Sequence, residues 1–215
     1  MIPLRDTVQS KKVPVATLFI IAINVIVFIN QVTMPYDESL SMIYKYAFIP
    51  SRFLRGMNHL ESYIPLFTSM FMHGDILHIL SNMWSLWLFG DNVEDYMGTF
   101  RFIVFYILVG LIAGFAHFVF NPMSDLPTVG ASGAIAGVMG AYFIMVPHSR
   151  IITLIPFFPF FIRVPSQIFL LIWFITQLRS GIMSGISGTV GGVAWWAHIF
   201  GFLGGIILYK KFRRE

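Results

Sequence analysis

The 215-residue chain is 57% hydrophobic and only 11% charged, less than half the roughly 25% charged residues of an average soluble domain. With a mean hydropathy of +0.77 it cannot cover itself with polar surface, and the composition puts it in a lipid bilayer. The net charge of +4 comes from basic residues at the chain ends and in loops, which excludes a nucleic-acid footprint, and the lack of cysteine excludes disulfide and thiolate chemistry.

At roughly 20 residues per span, the length accommodates about six spans and their connections. The predicted organisation is a polar N-terminal segment over residues 1–12, a six-span domain over 13–209 and a basic tail over 210–215. The first helix is predicted from Val13 to Gln31, too long for a signal-peptide core and with no small-residue cleavage pattern after it. From Val32 to Tyr63 charges alternate with aromatics, and this long first loop reads as ordered and half-embedded in the interface. Pro65 to Gly90 is apolar but carries His73, Asp75, His78 and Asn82, all costly against lipid. Gly74-Asp75 reads as a break and N-cap, so the second helix is predicted to start at Ile76 and to end near Asp91 to Asp95. His78 then lies in its first turn, with Asn82 one turn further on the same face.

The third span is predicted from Gly98 to Phe120, followed by a loop containing Pro122 and Pro127. The fourth, Ser132 to Val146, has about 15 residues, or roughly 22 Å of helix against about 30 Å of hydrocarbon. Its N-terminus is therefore expected below the membrane surface, buried in protein or facing a water-filled cavity. Arg150 to Arg163, broken by Pro156 and Pro159, reads as an interfacial connection. A short fifth span is predicted over Gln167 to Leu178, then a mobile glycine- and serine-rich loop from Arg179 to Gly192, then a sixth span from Val193 to Tyr209.

Six spans put both termini on one side. With the termini cytoplasmic, that side holds Arg5, Lys11, Lys12, Arg101, Arg150, Arg163 and the four basic residues of the tail, ten of the 14 basic residues, as the positive-inside rule favours. The same topology turns the starts of spans two, four and six outward and brings His78, Ser132 and His198 together. The compact six-span form suggests a prokaryotic plasma membrane.

Ser132 stands in Gly130-Ala131-Ser132-Gly133 at a helix N-terminus, where a serine can be a nucleophile with backbone donors beside it. Alone, the pattern equally serves close helix packing. The sixth span carries Ala197, Gly201 and Gly205 four apart, and the fourth carries Gly133, Gly137 and Ala141. These two small-residue stripes predict close contact, with His198 about two turns down, beside Ser132 and able to act as its base. No acidic residue lies in spans four to six, which favours a Ser-His dyad over a triad. Asn82, His78 and the Ser132 backbone N–H offer donors for an oxyanion. Asn82 alone reads as helix glue and His198 alone as a packing residue or part of a proton path; their co-occurrence with Ser132 carries the chemistry. His73 is expected to flank the entrance and Asp75 to cap. His59, His117 and His148 have no chemistry assigned, and Trp195 and Trp196 read as interface or packing aromatics.

On Gly130-Ala131-Ser132-Gly133, His78-Ile79-Leu80-Ser81-Asn82 and Ala197-His198-Ile199-Phe200-Gly201, continuing to Gly205, the chain resembles the rhomboid family of intramembrane serine proteases in its compact six-span prokaryotic type. The resemblance implies an all-α membrane fold, a six-helix bundle with a half-embedded first loop that includes Phe48-Ile49-Pro50-Ser51-Arg52-Phe53. It implies a Ser132 nucleophile, a His198 base and an oxyanion site from His78, Asn82 and Ser132. It also implies transmembrane protein substrates cleaved in or near their spans, water entering from the outer face, no cofactor or metal, and a lateral substrate gate at Trp173 and Phe174. Two departures stand out: Ala136 replaces an aromatic that in many relatives packs on the histidine, and the first loop lacks a recognisable Trp-Arg pair. A catalytically silent relative that binds transmembrane helices is the alternative, although such relatives typically lose the serine or histidine. A transporter is disfavoured by the lack of an inverted repeat and of acidic arrays.

Overall fold

In the computed structural model, which describes residues 2–155, 160–187 and 193–214, the apolar runs form helices whose ends are set by proline, glycine and borrowed side chains. Helix α1 (Val15–Thr33) follows Pro14, which offers no capping side chain. Glu94 caps α1 from a distant part of the chain. Its carboxylate accepts the Ala16 N–H at 2.9 Å, the Thr17 N–H at 2.8 Å and the Thr17 hydroxyl at 2.9 Å, placing negative charge at a helix N-terminus.

The first loop is ordered. It holds α2 (Tyr36–Tyr46), α3 (Pro50–Gly56) and α4 (Ile64–Thr68) with two short 3₁₀ turns. Phe48, Phe53, Leu66 and Phe118 form a separate small core beneath it. Helix α5 (Ile76–Met97) starts where Asp75 accepts the His78 backbone N–H at 2.9 Å. It runs through the stretch Asp91 to Asp95, near which its end was expected, and stops at Met97. The polar stretch is a set of cross-links: Glu94 reaches α1, and the Asn92 amide donates to Asp6 at 3.0 Å and to the Val8 carbonyl at 3.1 Å.

Helices α6 (Thr99–Phe120), α7 (Ser132–Met145), α8 (Ser166–Ser187) and α9 (Trp195–Phe212) complete the bundle. At 22 residues α8 is far longer than the expected short fifth span. It runs on through Arg179 to Ser187, so that part of the expected loop is helical, and a Cβ on Gly181 would lie 3.3 Å from the Trp195 Cβ, so this glycine serves helix packing against α9. Of the loop expected over Arg179 to Gly192, residues 188–192 lie outside the described residues.

The fold is mostly helical but not all-α. Strands β1 (Ile2–Asp6), β2 (Arg150–Ile155) and β3 (Phe160–Pro165) form an antiparallel sheet in that order, with Arg5 opposite Ile152 and Ile152 opposite Arg163. Burial alternates at the start of β2, where Ile151 and Thr153 are fully buried and Arg150 and Ile152 are not. The predicted interfacial connection thus supplies the central strand and one edge strand of a β-sheet, and the predicted N-terminal segment supplies the other edge strand. Pro156 and Pro159, which prompted the expectation of an irregular connection, lie outside the described residues.

Among the described residues α1, α6 and α8 are long and apolar enough to cross a membrane. Leu18, Phe19 and Ile26 of α1, Phe115 and Val119 of α6, and Leu171, Ile172 and Ile175 of α8 are exposed, an apolar outer surface suited to lipid. Helix α7 is enclosed instead. From Gly133 to Tyr142 every residue is buried, against α6 on one side and α9 on the other. A Cβ on Gly205 would stand 1.9 Å from the Gly137 carbonyl oxygen, one on Gly201 2.2 Å from that of Gly133, and one on Gly140 2.0 Å from that of Phe202. The two parallel helices therefore touch backbone to backbone. Gly205→Ala is expected to lower stability by about 3 kcal/mol, measured as reversible unfolding in detergent micelles, because the blocking atom is backbone and cannot rotate away.

Beyond the bundle, Asp6 of β1 accepts the Tyr142 hydroxyl proton. Burial pushes its carboxyl up from 3.8 to about 6, opposed by the Tyr142 hydrogen bond and helped by the charge of Asp91. The folded state thus prefers protonated Asp6. This contribution to stability is full below the ordinary carboxylate range and is lost as the pH rises through about 6. The melting temperature of Asp6→Asn minus that of the parent is expected to grow as pH rises from about 4 to about 7, read by thermal melts across that range.

Candidate active site

Ser132 owes its position to a loop fastened at two points. Phe48 and Thr128 exchange backbone hydrogen bonds at 3.0 and 2.8 Å, and the Thr128 hydroxyl meets His117 Nε2 at 3.1 Å. Two residues on, the Gly130 N–H donates to the Ser69 carbonyl at 2.9 Å. Gly130 has φ +131°, a conformation that side chains resist, and its missing Cβ keeps open the space beside His78. Ser132 is then the first residue of α7, partly exposed, with a backbone N–H that has no acceptor inside its own helix.

His198 reaches the same place from α9. It lies in the first turn rather than about two turns down, because α9 starts at Trp195. Its Nε2 is 2.7 Å from Ser132 Oγ, and its Nδ1 is 2.8 Å from Gln177 Oε1 on α8. The imidazole is 9% exposed and stands between two indoles. Trp173 stacks on it at 6.1 Å and 29°, and Trp195 meets it edge-on at 6.2 Å and 86°. Ala136, where an aromatic was expected to hold the histidine, is fully buried, and a Cβ on Gly201 would lie 3.4 Å from its own Cβ. A ring at position 136 has no room between α7 and α9.

His78 and Asn82 line the other side. A Cβ on Gly130 would fall 2.8 Å from His78 Nε2 and 3.7 Å from Asn82 Nδ2. The Gly74 N–H approaches His78 Nδ1 at 3.4 Å, which makes Nδ1 the acceptor and leaves the ring proton on Nε2, facing Gly130. Asn82 is 6% exposed, yet its amide nitrogen has no partner among the described residues. A buried donor left unmatched beside a serine is out of place as helix glue, whose value lies in a made bond.

The other expected residues fall nearby or elsewhere. His73 is not at an entrance. It is 1% exposed, with its backbone clasped by the Gln31 amide at 3.1 and 3.2 Å and its ring 5.0 Å from that of His78. Trp173 and Phe174 both pack on Phe202, at 5.9 and 5.1 Å. Trp196 stacks on Phe120 at 3.9 Å. His117 anchors the loop before Ser132. Gln177 escaped the sequence reading, although an amide one turn from Trp173 in an apolar span carries the same mark that drew attention to Asn82.

A serine hydroxyl 2.7 Å from a histidine nitrogen, with the buried Asn82 amide nearby, fits the motifs that suggested the family. A family profile described as the Rhomboid domain matches residues 60–215. The chain belongs to the rhomboid family. This rhomboid is 33% identical over 164 residues to the putative rhomboid protease YdcA of Bacillus subtilis, covering 69% of each chain. It is 41% identical over 76 residues to the rhomboid protease GluP of the same organism, 35% of this chain and 14% of that protein. It is also 32% identical over 99 residues to the human presenilin-associated rhomboid-like protein, mitochondrial, 45% of this chain and 26% of that protein. The chain spans about a quarter of the length of the mitochondrial relatives it matches. Family membership and the apolar helices together make it a membrane protein, and the relatives' names support protease activity at the level of the family.

Because the Asn82 amide nitrogen has no partner among the described residues, Asn82→Leu is expected to leave stability unchanged or to raise it by about 1 kcal/mol. Unfolding in micelles reads this directly, and a large loss would mark Asn82 as helix glue.

Proposed function

We propose that this rhomboid is an intramembrane serine endopeptidase that cleaves transmembrane proteins within or near their spans through a Ser132-His198 dyad. The observation that carries the reading is the 2.7 Å approach of Ser132 Oγ to His198 Nε2 beside the unmatched Asn82 amide. Ser132 Oγ attacks the scissile carbonyl while His198 Nε2 takes its proton and returns it to the leaving amine. Asn82 Nδ2, His78 Nε2 and the Ser132 N–H receive the oxyanion, and water then releases the acyl group by the same steps in reverse order. No metal or cofactor enters this chemistry.

The reading takes α5, α7 and α9 as spans alongside α1, α6 and α8, with the first loop half-embedded in the interface. The termini are cytoplasmic, in a prokaryotic plasma membrane. Support comes from β1 pairing with β2 and from the Arg101 guanidinium donating to the Arg213 carbonyl at 3.1 Å, which gathers basic residues at one end of the bundle. Trp173 and Phe174, on the lipid-facing helix α8, border the path by which a substrate helix reaches Ser132.

In proteoliposomes the protein is expected to cleave members of a panel of labelled single-span substrates. Ser132→Ala and His198→Ala abolish cleavage, and Asn82→Ala lowers kcat about 100- to 1,000-fold. A fluorophosphonate probe is expected to label Ser132 in the folded protein. Undiminished cleavage by Ser132→Ala sinks the protease assignment, whereas a folded protein that neither cleaves nor labels fits the silent binder.

A further inference from the structure

A base that has no carboxylate behind it must still keep its ring proton on the right nitrogen. For His198 to accept from Ser132, Nε2 must be bare and Nδ1 must carry the proton. The neighbouring hydrogen bonds fix where each proton lies. The Thr176 hydroxyl is 2.6 Å from the Trp173 carbonyl, which can only accept, so the single hydroxyl proton is committed there. Gln177 Nε2 lies 3.3 Å from Thr176 Oγ1 and 3.4 Å from the same carbonyl. Both neighbours now require a donor, so the Gln177 amide presents its N–H₂ to them. A flipped amide would set oxygen against oxygen. Gln177 Oε1 is therefore the atom turned to His198, 2.8 Å from Nδ1, and as an acceptor it holds the proton on Nδ1.

From this chain we infer that Gln177 is a positioning residue for the proposed protease, holding His198 in the tautomer and orientation that leave Nε2 free for Ser132; this assignment rests on the protease reading for its kinetic consequences alone. Gln177 is 7% exposed, so water does not compete well for the bond. A neutral amide is also far cheaper to bury at this depth than a carboxylate. It fixes the tautomer and ring plane as the aspartate of a triad does, without adding charge to the span. Trp173, one turn earlier on α8 and stacked on the imidazole, restrains tilt out of that plane. Together they supply from α8 the restraint that an aromatic at position 136 was expected to supply from α7.

The test uses the full chain in micelles and proteoliposomes, with Gln177→Met removing the acceptor at similar length and Gln177→Glu keeping it. In Gln177→Met, kcat and the rate of fluorophosphonate labelling are expected to fall about 10- to 100-fold, with KM and melting temperature little changed. Gln177→Glu is expected to recover most of both rates. Independently of activity, side-chain ¹⁵N spectra of His198, assigned by loss of its signal in His198→Ala, are expected to show the proton on Nδ1 in the parent and a mixed population in Gln177→Met. Labelling of Gln177→Met at the parent rate, equal impairment of folded Met and Glu variants, or a parent imidazole protonated on Nε2 would overturn the assignment. A parent that neither cleaves nor labels defeats the protease reading instead, and the ¹⁵N spectra then decide the role of Gln177 by themselves.

Discussion

Backbone contact between α7 and α9 is the constraint on which this structure turns. Helix α7 has 14 residues, about 21 Å of length, and is too short to cross a bilayer alone. It is tolerated because other helices enclose it, and the closest of them can approach only where side chains are missing. Gly133 and Gly137 face Gly201 and Gly205 in parallel register, so the starts of the two helices coincide. Ser132 opens one and His198 sits in the first turn of the other, and the distance between serine and histidine is set by glycines.

The same economy governs the polar groups. Glu94 spends its carboxylate on the N-terminus of α1, Gln31 both donates to and accepts from the His73 backbone, and Tyr142 joins Asp6 to Ser149. Each of these ties two distant segments where water is scarce and an unmade bond is costly. Against that background a few buried groups, the Tyr106 hydroxyl and the His73 ring among them, have no partner among the described residues, and of these the Asn82 amide nitrogen is the one that lies across from Gly130.

Much of this was legible from residues alone. The Asp75 cap, the start of α7 at Ser132 and the pairing of the two small-residue stripes all follow from local rules, because capping and close approach depend on side-chain type at fixed spacing. The sheet was not legible. Its strands are short, two prolines interrupt the segment, and one strand comes from the far N-terminus, so the pattern of pairing exists only in three dimensions. The end of α8 was misjudged for a related reason. Glycine reads as a terminator when it is solvated, but Gly181 is packed against α9.

Gln177 illustrates what tertiary context adds to the chemistry. From sequence, the absence of a carboxylate in the last three spans pointed to a bare dyad, and Ala136 left the histidine without its expected support. Both observations are consequences of packing. Ala136 is small because α9 passes close by, so no aromatic from α7 can reach His198. Support must then come from a helix on the open side of the imidazole, and α8 is that helix, bringing Trp173 to the ring face and Gln177 to Nδ1. Close approach of α7 and α9 thus fixes where the serine and histidine meet, and in the same stroke dictates that a third helix must orient the histidine.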